Sequence, residues 1–257
     1  MSWKLNLYFK LSLIIIGIFT PFYLCLAAEN DSRHWDYGGT WNPTRWSELK
    51  PEYAACQQGR NQSPINLVPY ATEPISISWE FKYRSIPVAI LNNGHTIEIE
   101  FEPGSYLLID GEEYELQQLH FHTPSEHTVM GKASAGELHL VHKTRDGKTA
   151  VLLVFLTEGK DNQVLGVLRE YIPREKGENQ IKGVGLNVNE LLPAQRDSYY
   201  HYTGSLTTPP CTEGVNWYVM TAPIEVSSEQ IENFRQIYQV NARPIQPLNG
   251  RVIYFKE

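Results

Sequence analysis

Leu116-Gln-Gln-Leu-His-Phe-His-Thr123 and Glu137-Leu-His-Leu-Val-His142 decide how this chain folds, because both alternate as β-strands do and both carry histidines at regular places. Successive side chains of a strand point to opposite faces, so His120 and His122 share one face, about 7 Å apart along the strand. A neighbouring strand can bring His139 up to them. Three imidazoles with a fourth position left open describe a catalytic zinc centre, whereas structural zinc is usually closed by four protein ligands. The donor set therefore points to metal-assisted hydrolysis or hydration. Parity also puts Gln118 on the face of His120 and Glu137 on the face of His139, where each can hold the ring nitrogen turned away from the metal. For any one of these histidines alone, a hydrogen-bonded place in the core is the ordinary reading.

The chain of 257 residues is 42% hydrophobic and 12% aromatic, with no repeat or low-complexity tract, which suits one compact domain. Residues 1–28 stand apart. Lys4 and Lys10 precede or flank the start of an apolar run from Leu11 to Leu26, and Ala27-Ala28 precedes the polar Glu29-Asn-Asp-Ser, the layout of a secretory signal peptide. An uncleaved anchor is the alternative, since the run is just long enough to span a bilayer. The mature domain is then residues 29–257, periplasmic, or secreted, or held at the membrane if the leader stays. Loss of Lys4 and Lys10, with no acid lost, takes the net charge from −7 to −9. Such a chain has no electrostatic reason to bind nucleic acid or anionic lipid, and none to stay at a membrane after cleavage. Cys25 falls in the leader, so Cys56 and Cys211 remain as an even pair, read in an exported protein as a disulfide. Two separate buried thiols are the alternative.

Ile75-Ser-Ile-Ser-Trp-Glu-Phe and residues 97–101, 150–156 and 215–221 read as further strands. Helices are few. Asp161 is a candidate cap for one running to about Tyr171, and Ser227 with Gln230 makes a capping box ahead of one ending near Tyr238. The expected fold is mainly β (α+β): a single domain with a large, mostly antiparallel, twisted central sheet and short peripheral helices.

Eight stretches then carry a resemblance: His34-Trp-Asp-Tyr37, Gln62-Ser-Pro-Ile65, Leu91-Asn-Asn-Gly-His95, Gln118-Leu-His-Phe-His122, Ser125-Glu-His127, Glu137-Leu-His-Leu-Val-His142, Gly204-Ser-Leu-Thr-Thr-Pro-Pro210 and Asn241-Ala-Arg-Pro-Ile-Gln-Pro-Leu248. In this order, from about Trp35 to Arg251, the chain resembles the α-class carbonic anhydrases. A leader with one cysteine pair looks like their exported bacterial branch, although secreted eukaryotic members share the arrangement. The resemblance implies reversible hydration of carbon dioxide to bicarbonate and a proton, by attack of hydroxide on one Zn²⁺ per chain held by His120, His122 and His139. It gives Thr207 the task of orienting that hydroxide and passing a proton to Glu126. It places Val141, Val151, Leu206, Thr208, Val215 and Trp217 around the substrate, and makes His95 the proton shuttle, for which a free imidazole pKa near 6.5 is apt. Tyr37, Asn93 and Glu98 fall at positions that organise the cavity water, Glu98 standing where well-known animal members have Asn.

His127 reads as a buried structural partner and His142 as pointing away from His139, while His201 reads as a surface residue. The small substrate leaves no obvious room for a large one. A homodimer is compatible with the resemblance. The rival function is a catalytically silent binding module of the same fold, which loss of a ligand histidine would mark; all three are present. Neither Gly-x-Ser-x-Gly nor His-Glu-x-x-His occurs, which argues against a serine esterase or zinc peptidase.

Overall fold

The structure is a computed structural model that describes residues 34–69 and 71–257; the leader expected over residues 1–28 lies outside them. Among the described residues no helix is long and apolar enough to cross a membrane. Nine strands matter for the site: β1 (Ile86–Asn92), β2 (Ile97–Phe101), β3 (Glu112–His122), β4 (Gly136–Lys143), β5 (Thr149–Glu158), β6 (Gly177–Leu186), β7 (Tyr199–Ser205), β8 (Glu213–Met220) and β9 (Tyr254–Lys256). They run in the order β6-β1-β2-β3-β4-β5-β8-β7-β9 within a mixed 13-stranded sheet. Most pairings are antiparallel, but β5 and β8 are parallel.

Alternation along β3, β4 and β5 divides the sheet into two faces. Leu119, Phe121, Leu138, Leu140, Leu152 and Val154 belong to the larger buried cluster, which Leu165, Leu168 and Ile231 of two helices join. Val141, Val151, Leu153, Val215 and Trp217 belong to a second cluster on the opposite side. Register then sets the candidate ligands in rows. Glu98, His120 and His139 stand opposite one another across β2, β3 and β4. Gln118, Val141, Val151, Trp217 and Tyr202 form the next row, across β3, β4, β5, β8 and β7. A register shift between Val141 and His142 ends this pattern, and His142 pairs with Leu116, its ring meeting the Tyr83 hydroxyl at 2.8 Å.

Among the described residues three α-helices lie around the sheet: α1 (Ala55–Gln58), α2 (Gln163–Arg169) and α3 (Ser228–Ile237). The Ser227 and Gln230 capping box of α3 is present and satisfies backbone groups that would otherwise be orphaned, worth about 1 kcal/mol. Phe234 of α3 stacks on Phe121 with ring centroids 4.8 Å apart. The cap of α2 is Asn162, not Asp161: the Asn162 side chain accepts from the Leu165 N–H, so the helix starts one residue later and ends at Arg169. The alternating stretch from Ile75 is not one strand. Glu73–Pro74 pairs with β9, whereas Trp79–Lys82 pairs with Tyr106–Ile109. Between them Ser78 donates from its backbone N–H and its hydroxyl to Asp110 Oδ1, turning the chain from one partner to the other.

The Cys56–Cys211 disulfide joins α1 to the loop after β7. Its 155-residue separation makes it a constraint on the unfolded chain of about 4–5 kcal/mol in the loop-entropy account. Trp46, Trp35, Tyr37 and Tyr53 pack with it.

Candidate metal centre

The candidate ligand atoms of His120, His122 and His139 lie within 4.8 Å of one another. What surrounds each ring decides which nitrogen carries its proton. Gln118 Oε1 lies 2.8 Å from His120 Nδ1, and the Asn241 carbonyl lies 2.6 Å from His122 Nδ1. Glu137 Oε1 lies 2.6 Å from His139 Nε2. All three partners accept, so each of these nitrogens donates. The opposite nitrogens, His120 Nε2, His122 Nε2 and His139 Nδ1, are left with lone pairs that converge. His139 Nδ1 is 3.2 Å from His120 Nε2, and His122 Nε2 is buried with no hydrogen-bond partner. Lone pairs facing each other at this range repel unless a cation lies between them, so the donor set fits a metal ion. Burial, reinforced by the neighbouring rings, holds His120 well below the ordinary imidazole range, and burial pushes His139 down to about 4. Both are therefore neutral, as ligands must be.

His127, Glu137 and His139 form a second cluster of possible ligands, but hydrogen bonds engage its atoms. His127 donates from Nδ1 to Glu137 Oε1 at 3.2 Å, and its Nε2 meets the Tyr202 hydroxyl at 2.6 Å. Burial works to raise the Glu137 carboxyl, yet His127 and His139 outweigh it and hold the group well below the usual carboxylate range.

Beside the ligands opens a cavity of about 580 Å³, lined by His120 and His139, by Val141, Val151, Leu206, Val215 and Trp217, and by Thr207, Thr208 and Glu98. It is larger than carbon dioxide itself needs and within the range of ligand-binding clefts. The β5, β8 and loop side chains give it one apolar wall, while Gln117, Lys143 and Lys148 make the rest polar.

Thr207 is buried, as is Glu126. Glu126 Oε1 accepts the Arg243 N–H at 2.9 Å. Oε2 is buried without a hydrogen bond of full geometry, while the Thr207 hydroxyl is close enough to be one of the groups that draw the carboxyl's pKa down. Burial prevails, and the Glu126 pKa is raised. Arg243 itself is buried and donates to Gln62 Oε1, the Ser63 carbonyl and the Cys56 carbonyl.

His95 stands outside the cavity lining. Its ring stacks on Trp35, centroids 3.6 Å apart and 13° from parallel, and its Nε2 lies 2.9 Å from His34 Nε2. Burial, then His34 and Lys176, push its pKa down to about 4, with only Asp36 working the other way. This is well below the 6.5 of a free imidazole. Asn93 Nδ2 donates to Glu98 Oε2 at 3.3 Å and so joins the turn before His95 to the cavity; burial raises the Glu98 carboxyl. Tyr37 packs edge-on to Trp35 and Trp46, on the side of Glu126 and Arg243, and burial raises its hydroxyl well above the ordinary value. His201 is half-buried, stacked on Tyr218 and bonded to the Trp217 carbonyl at 3.0 Å, so it is not a plain surface residue.

Strand parity and motif spacing assign no role to Asn241, Arg243, Ser63 or Tyr202. Each acts from a position remote in sequence from the ligand strands, and alternation gives no sign of that.

A mixed-sheet protein with an open three-histidine centre beside an apolar wall is the class that fold and site define. Residues 41–257 match the family model described as eukaryotic-type carbonic anhydrase. A carbonic anhydrase of Nostoc sp. is 39% identical over 250 residues, 95% of this chain and 94% of that protein. The α-carbonic anhydrase of Thermovibrio ammonificans, solved with the inhibitor sulfanilamide, superposes with a TM-score of 0.82 at 42% identity, covering 86% of this chain and 98% of that one. Dioscorin DB3S of Dioscorea polystachya is 33% identical over 244 residues, 91% of each chain. The chain belongs to the eukaryotic-type, or alpha, carbonic anhydrase family, and is an enzyme of that family.

Proposed function

We propose that this protein hydrates carbon dioxide reversibly to bicarbonate and a proton, using one zinc ion held by His120 Nε2, His122 Nε2 and His139 Nδ1. The observation that carries the zinc assignment is the convergence of three imidazole lone pairs, each fixed by an acceptor on the far side of its ring. When bound, zinc acidifies water to a pKa near 7, a value established for carbonic anhydrases rather than obtained from this chain, and so supplies a nucleophile at neutral pH.

The chain's own residues do the rest. Thr207 donates its hydroxyl proton to Glu126, which turns its lone pairs to the cavity, where they accept from the attacking group and aim it at the substrate carbon. Its backbone N–H is left to meet a substrate oxygen. Val141, Val151, Leu206, Val215 and Trp217 receive an uncharged, linear molecule and give bicarbonate little to hold, which favours its release; Thr208 shapes the same wall. Glu98 and Asn93 organise water between cavity and rim, with Tyr37 on the Glu126 side, and His95 takes the proton out. The Cys56–Cys211 disulfide supports an oxidising compartment, and with the leader it supports export of residues 29–257 to the periplasm.

Stopped-flow hydration by residues 29–257, before and after removal of zinc by a chelator and again after its return, tests this reading. Rapid hydration that disappears and returns with zinc is expected. A folded, zinc-loaded protein that hydrates nothing would hand the site to the silent-module reading, for which the spare volume of the cavity has room.

His95→Ala should lower turnover by up to about 100-fold at low buffer concentration, the lower end of what a positioned acid–base group supplies, with rescue by added imidazole. Stacked on Trp35 the ring has its pKa pushed down to about 4 by burial, so to carry a proton at neutral pH it must leave the stack. An inflection near pH 6.5 in the rate profile, lost in the variant, is the expected sign that it does. A rate unchanged at every buffer concentration would show another exit for protons.

A further inference from the structure

A chain of buried hydrogen bonds runs from the ring of His139 to the loop that carries Thr207. Glu137 accepts twice at Oε1, from His139 Nε2–H at 2.6 Å and from His127 Nδ1–H at 3.2 Å, and once at Oε2, from the His127 N–H at 3.1 Å. The Tyr202 hydroxyl lies 2.6 Å from His127 Nε2 and 2.8 Å from Ser63 Oγ, and so bridges the two side chains. Ser63 Oγ in turn accepts the Ser205 N–H at 3.1 Å, while the Ser63 N–H donates to Ser205 Oγ at 2.9 Å and that hydroxyl to the Leu206 carbonyl at 2.8 Å. Thr207 is the next residue. Ser63, His127, Glu137, Tyr202 and Ser205 are each sealed from solvent.

Resting on the zinc reading above, we infer that Tyr202 is a positioning residue for the metal site: its hydroxyl holds the His127 ring, which with Glu137 holds His139, and so ties that ligand's orientation to the Ser205–Leu206–Thr207 loop. Partners one step removed from a ligand set ring orientation and basicity, and losing them commonly costs 10–100-fold in metal affinity. Tyr202 acts one step further out than Glu137.

The test uses the zinc-loaded protein and its cobalt-substituted form. Tyr202→Phe should release zinc to a chelator about tenfold faster, the lower end of that range, and should alter the visible absorption of the cobalt form, which reports ligand geometry. Ser63→Ala removes the hydroxyl that bonds the phenol while leaving Tyr202 in place, and should shift both readouts in the same direction by less; it keeps the test open if Tyr202→Phe does not fold. A lower melting temperature with wild-type zinc release and a wild-type cobalt spectrum would reduce Tyr202 to a packing residue and overturn the inference. A wild-type protein that holds no zinc would overturn the zinc reading itself, and the inference with it.

Discussion

His122→Ala is expected to abolish tight zinc binding and with it nearly all hydration. The His122 ring is buried, its Nε2 has no hydrogen-bond partner, and its Nδ1 donates to the Asn241 carbonyl. Alanine removes one of three ligands at a place where a water cannot be held to the same geometry, so the loss should exceed the roughly 100-fold that a supporting residue can cost. It also leaves the Asn241 carbonyl without that donor, a penalty of about 1–3 kcal/mol that should appear as a lower melting temperature. Zinc content by atomic absorption, stopped-flow hydration and thermal unfolding separate the two effects. A variant with stoichiometric zinc and full activity would refute the ligand assignment.

The second large effect belongs to Thr207. Thr207→Val keeps the shape of the side chain and removes its hydroxyl, so zinc should stay while kcat/KM falls by about 10²–10³, the scale of losing one well-placed transition-state hydrogen bond. The hydroxyl acts through Glu126, and because burial raises the Glu126 pKa, its ionised form depends on donors such as the Arg243 N–H and Thr207 itself. Lower pH therefore weakens the pair, by protonating the acceptor to which Thr207 must donate. Thr207→Ser restores the hydroxyl and should recover most of the rate. Zinc loss on Thr207→Val, or hydration within a few fold of wild type, would remove Thr207 from the proposed chemistry.

The ligand histidines and Thr207 differ in how legible they are in the amino-acid sequence. His120, His122 and His139 are legible from alternation alone, because a period of two residues assigns faces without knowledge of the strand order, and Gln118 and Glu137 follow by the same parity. The capping box of α3 is legible because it is local. Asp161 misleads by one residue, since either it or Asn162 can cap and only the accepted Leu165 N–H decides between them. The alternation from Ile75 to Phe81 misleads because periodicity does not register a change of partner strand, which Asp110 imposes on Ser78 from 32 residues away. Thr207, Glu126 and His95 emerge only through the family's motifs; a threonine before two prolines has no chemistry of its own. The depressed pKa of His95 is not legible at all, because it arises from Trp35, His34 and Lys176 meeting in space.

The bond between His122 and the Asn241 carbonyl spans 119 residues, and two residues beyond Asn241 the Arg243 side chain reaches back to Gln62, Ser63 and Cys56. Contacts this far apart in sequence form late, after the loops between them have closed. During synthesis the chain thus carries all three histidines for a long interval in which the ring of His122 has nothing to fix its tautomer. A ribosome stalled before Asn241 would expose a chain with the full ligand set and no assembled site. If the three histidines take up zinc as proposed, its capture would wait for the C-terminal segment to pack, and a chain exported before it folds would acquire its ion in the compartment where it works.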